Sequence, residues 1–224
     1  MKIRRKIALL LMLAIAASCS TSKFVKPLEK GEQAAGFNLG GPIIKMGGAI
    51  MPIPYTSLDY AFGLSNKTTA YGSIHTTALA YGVFQAELGF ISNLKQQNGL
   101  CPAISVSPSM NFMVDMYVGN RYYLPQLDLN FYWENKSKNR FVYTGLSSYF
   151  DINRFKAHDE KQTHHWFPCP KIGNTFVRSK WNYNIEIKYM GLGISNEDII
   201  VDYFKPTGKT GVMGIYFGIV RKIK

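Results

Sequence analysis

The feature that most constrains the fold of this chain is an alternation of apolar and polar residues over short segments. It is clearest over residues 104–116, 126–134, 181–191 and 213–219. In the first of these segments, one side carries Ile104, Val106, Met110, Phe112, Val114 and Met116. Because successive side chains of a β-strand point to opposite faces, each segment is predicted to be a strand with one apolar and one polar face.

The same period recurs along most of the chain, and no amphipathic helical pattern of convincing length interrupts it. Weaker segments cover residues 57–64, 69–77, 80–91, 141–150 and 197–204, and a first strand falls within 34–51. Together they predict about ten strands of roughly nine to twelve residues, the length at which a tilted strand crosses a bilayer.

The N-terminal 19 residues are typical of an export signal followed by a lipid-attachment site. A basic cap precedes an apolar run over 7–17, which is too short to span a bilayer as a helix. Small residues at 16–18 suit a signal peptidase, and Cys19 follows directly. This pattern resembles the lipobox of bacterial lipoproteins, which implies a signal peptide over 1–18 and acylation of Cys19, for example with palmitate. The alternative is an ordinary cleaved signal with a cysteine nearby by chance.

The rest of the chain has the composition of one ordered domain. Charged residues make up 18% of the sequence and aromatic residues 14%, which argues against disorder and for a strand-rich fold. Four positive charges of the net +12 lie in the signal, which leaves +8 for the mature chain. Since an exported protein rarely meets nucleic acid, we expect no nucleic-acid partner. The surplus charge indicates contact with anionic lipid headgroups or serves solubility.

Two architectures can use strands of this kind. A soluble sandwich turns the apolar faces towards each other, whereas a transmembrane barrel turns them towards lipid and keeps polar groups inside. Glu186 and Lys188 occupy the polar face in the centre of a strand, as expected for a polar lumen. Aromatic residues near segment ends match interfacial girdles: Tyr122, Tyr123, Trp133, Tyr143, Trp181 and Tyr189. The pattern therefore favours an all-β, antiparallel up-and-down barrel of about 10 strands, within a range of about 8–12.

Connection lengths also favour the barrel. With both termini in the periplasm, residues 65–68, 135–139 and 192–196 are predicted to be short periplasmic turns. The long stretch 152–176 is then extracellular, as is usual for outer-membrane barrels. We divide the chain into the signal peptide (1–18), a lipid-anchored tether (19–32) and a β-barrel domain (33–224).

The segments around the first hairpin resemble bacterial outer-membrane β-barrel proteins. Residues 60–72 read as a strand, a tight turn and a second strand, and residues 86–90 as part of the next strand. The resemblance implies insertion in the bacterial outer membrane. In this setting Cys101 is predicted to open a periplasmic strand end and Cys169 to lie in the external loop, too far apart for a disulfide. From composition alone, a bond between the two cysteines and two free thiols remain alternatives.

Two groups of residues are weak candidates for chemistry. Ser73 and His75 share one strand face, and Asp59 or Glu87 on neighbouring strands could complete a nucleophilic triad. His158, His164 and His165 lie near Asp159 and Glu160 and are weak candidates for a metal site. The simpler interpretation is two lumen-lining polar residues and a solvated surface loop, with no catalytic or metal-binding residue and no cofactor.

The sequence leaves the function open between three classes. We favour a lipid-anchored outer-membrane barrel with an envelope-structural, small-ligand-binding or surface-interaction role. Its partners are then membrane lipid, through Cys19 and the barrel exterior, and a small apolar ligand in the lumen. The alternatives are a soluble periplasmic barrel or sandwich tethered by Cys19, and a lipid-modifying barrel enzyme that uses Ser73 and His75. The sequence does not decide whether the chain is an enzyme, although a non-enzymatic role is favoured.

Overall fold

The structure, a computed structural model, describes residues 24–46, 48–155, 161–196, 202–204, 206 and 208–223. Eleven strands form one antiparallel sheet: β1 (Gln33–Met46), β2 (Ala49–Pro52), β3 (Thr56–Ser65), β4 (Thr68–His75), β5 (Val83–Lys95), β6 (Ala103–Asp115), β7 (Arg121–Glu134), β8 (Arg140–Phe150), β9 (Trp166–Arg178), β10 (Trp181–Ser195) and β11 (Thr210–Lys222). One short helix, α1 (Thr76–Ala80), connects β4 to β5.

The sheet closes on itself because β1 pairs with β11, from Ala34 opposite Lys222 to Pro42 opposite Gly214. Ten strands form the barrel, and each pairs with the next one along the chain except that β1 pairs directly with β3. The short β2 folds back on the last four residues of β1 and extends beyond the wall. The predicted closed, antiparallel up-and-down barrel of about ten strands is confirmed.

The two ends of the barrel differ in the length of their connections. At the end where β1 begins and β11 ends, which we call the termini end, the strands are joined by 66–67, 96–102, 135–139 and 179–180. At the opposite end, which we call the loop end, the connections include the 151–165 and 196–209 stretches. The two longest connections therefore lie at the same end, whereas the 116–120 connection at that end is as short as 135–139 at the other. Among the described residues, no helix is long and apolar enough to cross a bilayer.

One strand assignment from the sequence is wrong, and a second lies mostly outside the described residues. Residues 166–176 were expected in the long loop 152–176 but belong to β9, so Cys169 lies in a strand. The expected strand over 197–204 is described only at 202–204, where Tyr203 makes one isolated bridge to Ile44. The ten barrel strands therefore include β9, which the sequence analysis did not count as a strand.

The misplaced strand also shifts one turn. Residues 192–195 belong to β10, and the connection that follows them lies at the loop end, not among the short turns. The sequence analysis places a short turn after β10, at 192–196. The short turn next to β10 instead precedes it and is the two-residue link 179–180 from β9.

The wall has an apolar outside and a polar inside. Along β3, Leu58, Tyr60 and Phe62 are exposed, whereas Asp59 and Ala61 between them are buried. The same alternation runs along β5 to β7 and β10. Apolar side chains therefore face outwards and the polar faces fill the barrel interior, as the sequence pattern predicts.

Candidate functional site in the barrel interior

The interior contains a middle layer of buried polar side chains, most of them contributed by strand centres. Its members are Asn38, Ser57, Asp59, Ser73, His75, Glu87, Ser105, Ser107, Asn111, Asp128, Asn130, Ser147, Lys171, Glu186 and Lys188. Glu186 and Lys188 are 0% exposed. Because buried ionised groups are costly unless they are paired and hydrogen-bonded, this layer is a network in which the side chains hold each other in place.

On one side of the middle layer, Asp59 gathers three donors. The Ser73 hydroxyl donates to Asp59 Oδ1 at 2.7 Å, Ser57 donates to the same oxygen at 3.3 Å, and Asn38 donates to Asp59 Oδ2. The register places Asp59, Ser73 and Glu87 side by side on β3, β4 and β5. Sequence reasoning had named both carboxylates as neighbours of Ser73.

This geometry bears on the candidate pair Ser73 and His75. Both side chains point into the barrel and are buried. The Ser73 proton is directed to the Asp59 carboxylate, whereas a serine nucleophile must direct it to an imidazole that takes the proton up. The observed role of Ser73 is therefore to stabilise a buried carboxylate, and the catalytic role stays a prediction of the sequence analysis.

The opposite side of the middle layer holds two buried lysines. Lys171 on β9 bonds Asp128 on β7 at 2.8 Å, and Lys188 on β10 lies 3.4 Å from Glu186. Lys171 and Lys188 face each other across the β9–β10 ladder, so the two carboxylates also relieve the repulsion between the ammonium groups. The Lys188 ammonium lies 5.4 Å from the centre of the Tyr216 ring, which adds a cation–π contact.

Tyr143 links this charge pair to the polar side chains nearby. Its hydroxyl donates to Glu186 Oε2 at 2.9 Å and lies 3.1 Å from Asn184 Oδ1. The ring fits because Gly173 stands opposite on β9, where a Cβ atom would overlap the Tyr143 ring. The glycine therefore fixes the position of Tyr143 and, through it, that of Glu186.

An apolar layer closes the interior at the termini end, and residues before β1 form part of it. Phe24 and Leu28 pack with Ala34, Ala61, Ile91 and Val220 on the inner wall, while Val25 packs with Ala103, Tyr132 and Phe141. We call residues 24–32 the N-terminal segment. The sequence analysis assigns residues 19–32 to a tether, and the described part of that range lies at the mouth of the barrel with Phe24, Val25 and Leu28 buried.

Polar contacts fix the N-terminal segment in this position. The Leu28 amide donates to Thr69 Oγ1 at 2.8 Å, and the Ser105 hydroxyl donates to the Val25 carbonyl at 2.6 Å. Gly63 leaves room for the segment, because a Cβ atom there would overlap the Glu29 carbonyl. A cavity of about 120 Å³ remains between the segment and the wall formed by β8 to β11.

Two ion pairs lie at the rim of this mouth. Lys26 contacts Glu134 at 2.6 Å, and Lys222 contacts Glu32 at 2.9 Å. Partial burial raises the pKa of Glu32, but the hydrogen bond and charge of Lys222 outweigh it, so that the pKa is lower than usual. The Glu32–Lys222 contact is therefore present at neutral pH and is lost as the pH falls through the lowered pKa of Glu32.

The loop end is closed by a second apolar layer. One part contains Ala78 of α1 with Val83, Met113 and Leu124. The other part contains Ile53, Tyr149, Cys169, Met190, Tyr203, Val212 and Tyr216. The polar middle layer is therefore covered by apolar side chains at both ends of the barrel.

The remaining sequence candidates lie outside this interior. His164 and His165 are exposed at the loop end, and His165 Nδ1 lies 2.7 Å from the Asp151 carbonyl oxygen. His158 lies outside the described residues, as do Cys19 and the signal region. In the part of the chain that the structure describes, no three His, Cys, Asp or Glu side chains are arranged to hold a metal ion.

Cys101 and Cys169 are not joined to each other. Cys101 is exposed in the connection between β5 and β6, at the termini end, whereas Cys169 is buried in the apolar layer at the loop end. Their positions at opposite ends agree with the predicted separation, although Cys169 lies in β9 and not in a loop.

No family model matches the chain, and no curated protein matches it. Solved membrane barrels resemble it at low similarity. The translocator domain of the autotransporter NalP from Neisseria meningitidis has 9% identity and a TM-score of 0.47, over 98% of this chain and 95% of that one. An outer membrane channel from Pseudomonas putida F1 has 9% identity and a TM-score of 0.49, over 92% of this chain and 100% of that one. The NanC porin has 9% identity and a TM-score of 0.45, over 86% and 100%.

These likenesses are weak, so the function must be argued from the side chains of this barrel. Sequence reasoning found the inward Glu186 and Lys188 but missed the Lys171–Asp128 pair, because β9 was not recognised. It also missed the sealing role of the N-terminal segment. The available signal was the pair of apolar residues Phe24 and Val25, followed by Leu28, in a stretch that is otherwise polar.

Proposed function

We propose that the protein is a bacterial outer-membrane β-barrel with a filled interior, whose role is structural or to interact with partners at the cell surface. The observation that carries this proposal is the orientation of the two strand faces. Leu88, near the middle of β5, is 69% exposed, while Glu186 and Lys188 are fully buried. A wall of this kind suits hydrocarbon, because lipid accepts apolar side chains and the closed ladder satisfies every strand edge.

A tethered water-soluble barrel is the alternative from the sequence. Water-soluble proteins rarely expose contiguous apolar patches larger than a few hundred Å². In this protein, exposed apolar residues occur on the outer face of all ten barrel strands, among them Phe37, Leu58, Ile74, Leu88, Met110, Leu127, Val142, Ile172, Ile185 and Phe217. This distribution supports insertion in a membrane.

The sealed interior argues against a role as a general pore. The middle layer is packed, and apolar layers cover it at the loop end and at the termini end. The parts of the molecule left for recognition are the long connections of the loop end, 151–165 and 196–209. A surface-interaction or envelope-structural role follows from this arrangement.

The lipid anchor belongs to the same proposal. We infer that Cys19 is acylated and that the attached lipid enters the leaflet at the termini end. Phe24 is fixed inside the mouth at that end, and Cys19 lies only five positions before it in the chain. Five extended residues span at most about 18 Å, which is less than the roughly 25 Å height of the apolar band of such a barrel.

The membrane proposal is tested by placing a charge on the outer wall. We expect Leu88→Arg to lower the free energy of unfolding in phospholipid vesicles by about 2–4 kcal/mol, because the guanidinium meets hydrocarbon. Leu100→Arg is the matched control, since Leu100 is 94% exposed in a turn at the termini end and the change there costs about 0–1 kcal/mol. Urea titration of both variants measures the difference. Equal stability of the two variants would contradict the membrane proposal and favour a soluble barrel.

The anchor is tested separately with Cys19→Ala. We expect this variant to lose incorporation of labelled palmitate while the barrel stays in the membrane fraction after carbonate extraction. Release of the variant into the soluble fraction would show that the anchor alone holds the protein at the membrane. Unchanged labelling would contradict acylation of Cys19.

A further inference from the structure

Positive charge is concentrated at the termini end of the barrel. Among the described residues, this end carries Glu29, Glu32 and Glu134 as its acidic side chains. Eleven basic side chains form what we call the basic collar: Lys26, Lys30, Lys67, Lys95, Lys136, Lys138, Arg140, Arg178, Lys180, Arg221 and Lys222. They come from the N-terminal segment, from three of the four short connections and from the strand ends beside them, including the end of β11. The collar therefore surrounds the mouth and is not confined to one side.

No other part of the molecule has such an excess. The connections at the loop end, counted over their full sequence with the strand residues beside them, carry seven Lys and Arg and seven Asp and Glu. The barrel interior carries Lys171 and Lys188 against Asp59, Glu87, Asp128 and Glu186. The collar has eleven basic against three acidic groups, so its net charge of +8 equals the whole surplus of the mature chain.

Most collar side chains are directed to the surroundings of the protein. Lys26 and Lys222 take part in the two rim ion pairs. The other nine are exposed, and most of them extend from turns. The collar therefore presents a ring of cations to whatever lies at this end of the wall.

Two arginines place the collar at the level where the outer wall ends. Arg140 lies 5.3 Å from the centre of the Phe176 ring, and Arg221 lies 5.4 Å from the centre of the Trp181 ring. Both rings stand on the outward face and are partly exposed. A guanidinium on such a ring lies beside hydrocarbon and headgroups at once, because aromatic girdles occupy the membrane interface.

We propose that the basic collar binds the phosphate groups of anionic phospholipids in the leaflet at the termini end. This inference rests on the membrane insertion proposed above. An anionic leaflet attracts clusters of Lys and Arg that lie within a Debye length of its surface. The ring-shaped distribution and its continuity with the lipid-facing wall favour lipid over a protein or nucleic acid, either of which would need a patch on one side. The collar thereby fixes the depth of the barrel and the side of the membrane that its termini face.

The test removes collar charge and compares it with an equal removal elsewhere. The collar variant carries Lys67→Gln, Lys95→Gln, Lys136→Gln and Lys180→Gln, one change in or beside each short connection. The control variant carries Lys45→Gln, Arg121→Gln, Arg154→Gln and Lys161→Gln at the loop end. Both variants lose four positive charges. A difference in the lipid that they retain therefore reflects where the charges lie and not how many were removed.

Each protein is inserted into nanodiscs of phosphatidylcholine with one fifth phosphatidylglycerol, and the retained lipids are counted by native mass spectrometry. We expect the wild type and the control variant to retain phosphatidylglycerol at about threefold its share of the mixture, and the collar variant to retain it near its share. Raising the salt concentration to about 1 M should abolish the enrichment in the wild type and in the control variant.

Equal enrichment in the collar and control variants, or none in the wild type, would overturn the collar proposal. Insertion into nanodiscs of pure phosphatidylcholine separates this failure from a failure of the proposed function. A barrel that enters neutral lipid without enriching phosphatidylglycerol refutes the collar alone. A barrel that enters neither lipid refutes the membrane proposal and the collar with it.

Discussion

At the scale of single residues, the interior depends on how its charges are paired. The Lys171 ammonium and the Asp128 carboxylate are buried at 2.8 Å from each other. We expect Lys171→Met to lower the free energy of unfolding by about 3–5 kcal/mol, because Asp128 loses its buried counter-charge. Urea titration measures the loss of unfolding free energy, and the heat-dependent shift in gel mobility serves as the readout of the folded fraction.

The double variant Lys171→Met with Asp128→Leu is the control for this prediction. Replacing a whole buried ion pair by apolar groups is often neutral, so the double variant should recover most of the stability that the single variant loses. A double variant as unstable as the single one would show that Lys171 and Asp128 do not act as a pair.

The polar character of these positions could be predicted from the sequence, but the partners could not. Alternation alone placed Glu186 and Lys188 on one inward face. The choice of Asp128 as the partner of Lys171 depends on the register of β7, β8 and β9, which the alternation does not specify. The short distance between Gly173 and Tyr143 likewise follows from register.

At the scale of elements, β9 shows where pattern reasoning fails. Pro168 and Pro170 lie within this strand, and proline argues against a central strand because it cannot donate to the ladder. In this barrel Pro168 stands opposite Ser148 of β8, and Pro170 stands opposite Leu146 of β8. Pairing along the rest of β8 and β9 retains the strand, a tertiary effect that the local sequence cannot show.

The N-terminal segment carries the prediction that belongs to this scale. We expect Leu28→Asp to release the segment from the mouth, because Leu28 is 6% exposed among apolar side chains. Fully burying such a side chain contributes about 1.5–3 kcal/mol. Hydrogen–deuterium exchange over residues 24–32 should accelerate, while exchange in β7 to β10 stays as in the wild type.

Lys30→Asp provides the comparison for the segment. Lys30 is exposed, and its described contact to Asn66 is made by its backbone amide. We expect this variant to keep the slow exchange of residues 24–32. Fast exchange in the wild type itself would contradict the sealed mouth.

At the scale of the whole molecule, the three layers of the interior predict how the barrel behaves in a bilayer. A buried polar layer lies between two apolar layers, and we expect this arrangement to block hydrated ions. We expect the purified protein to give no stable conductance steps in a planar phospholipid bilayer at about 1 M salt, unlike the water-filled lumen of a porin. Regular steps in the wild type would contradict the filled interior.

The two described cysteines lie at opposite ends of the barrel, and their labelling can report when the loop end opens. Cys101 meets solvent, whereas Cys169 lies beneath the loop-end cover with Tyr203 and Met190. A maleimide dye added to the folded protein should therefore modify the first thiol within minutes and spare the second until the cover lifts. The ratio of the two adducts then measures how often the cover opens. Labelling of Cys101 gives the reference rate, and Cys169 reacts only after the cover has opened.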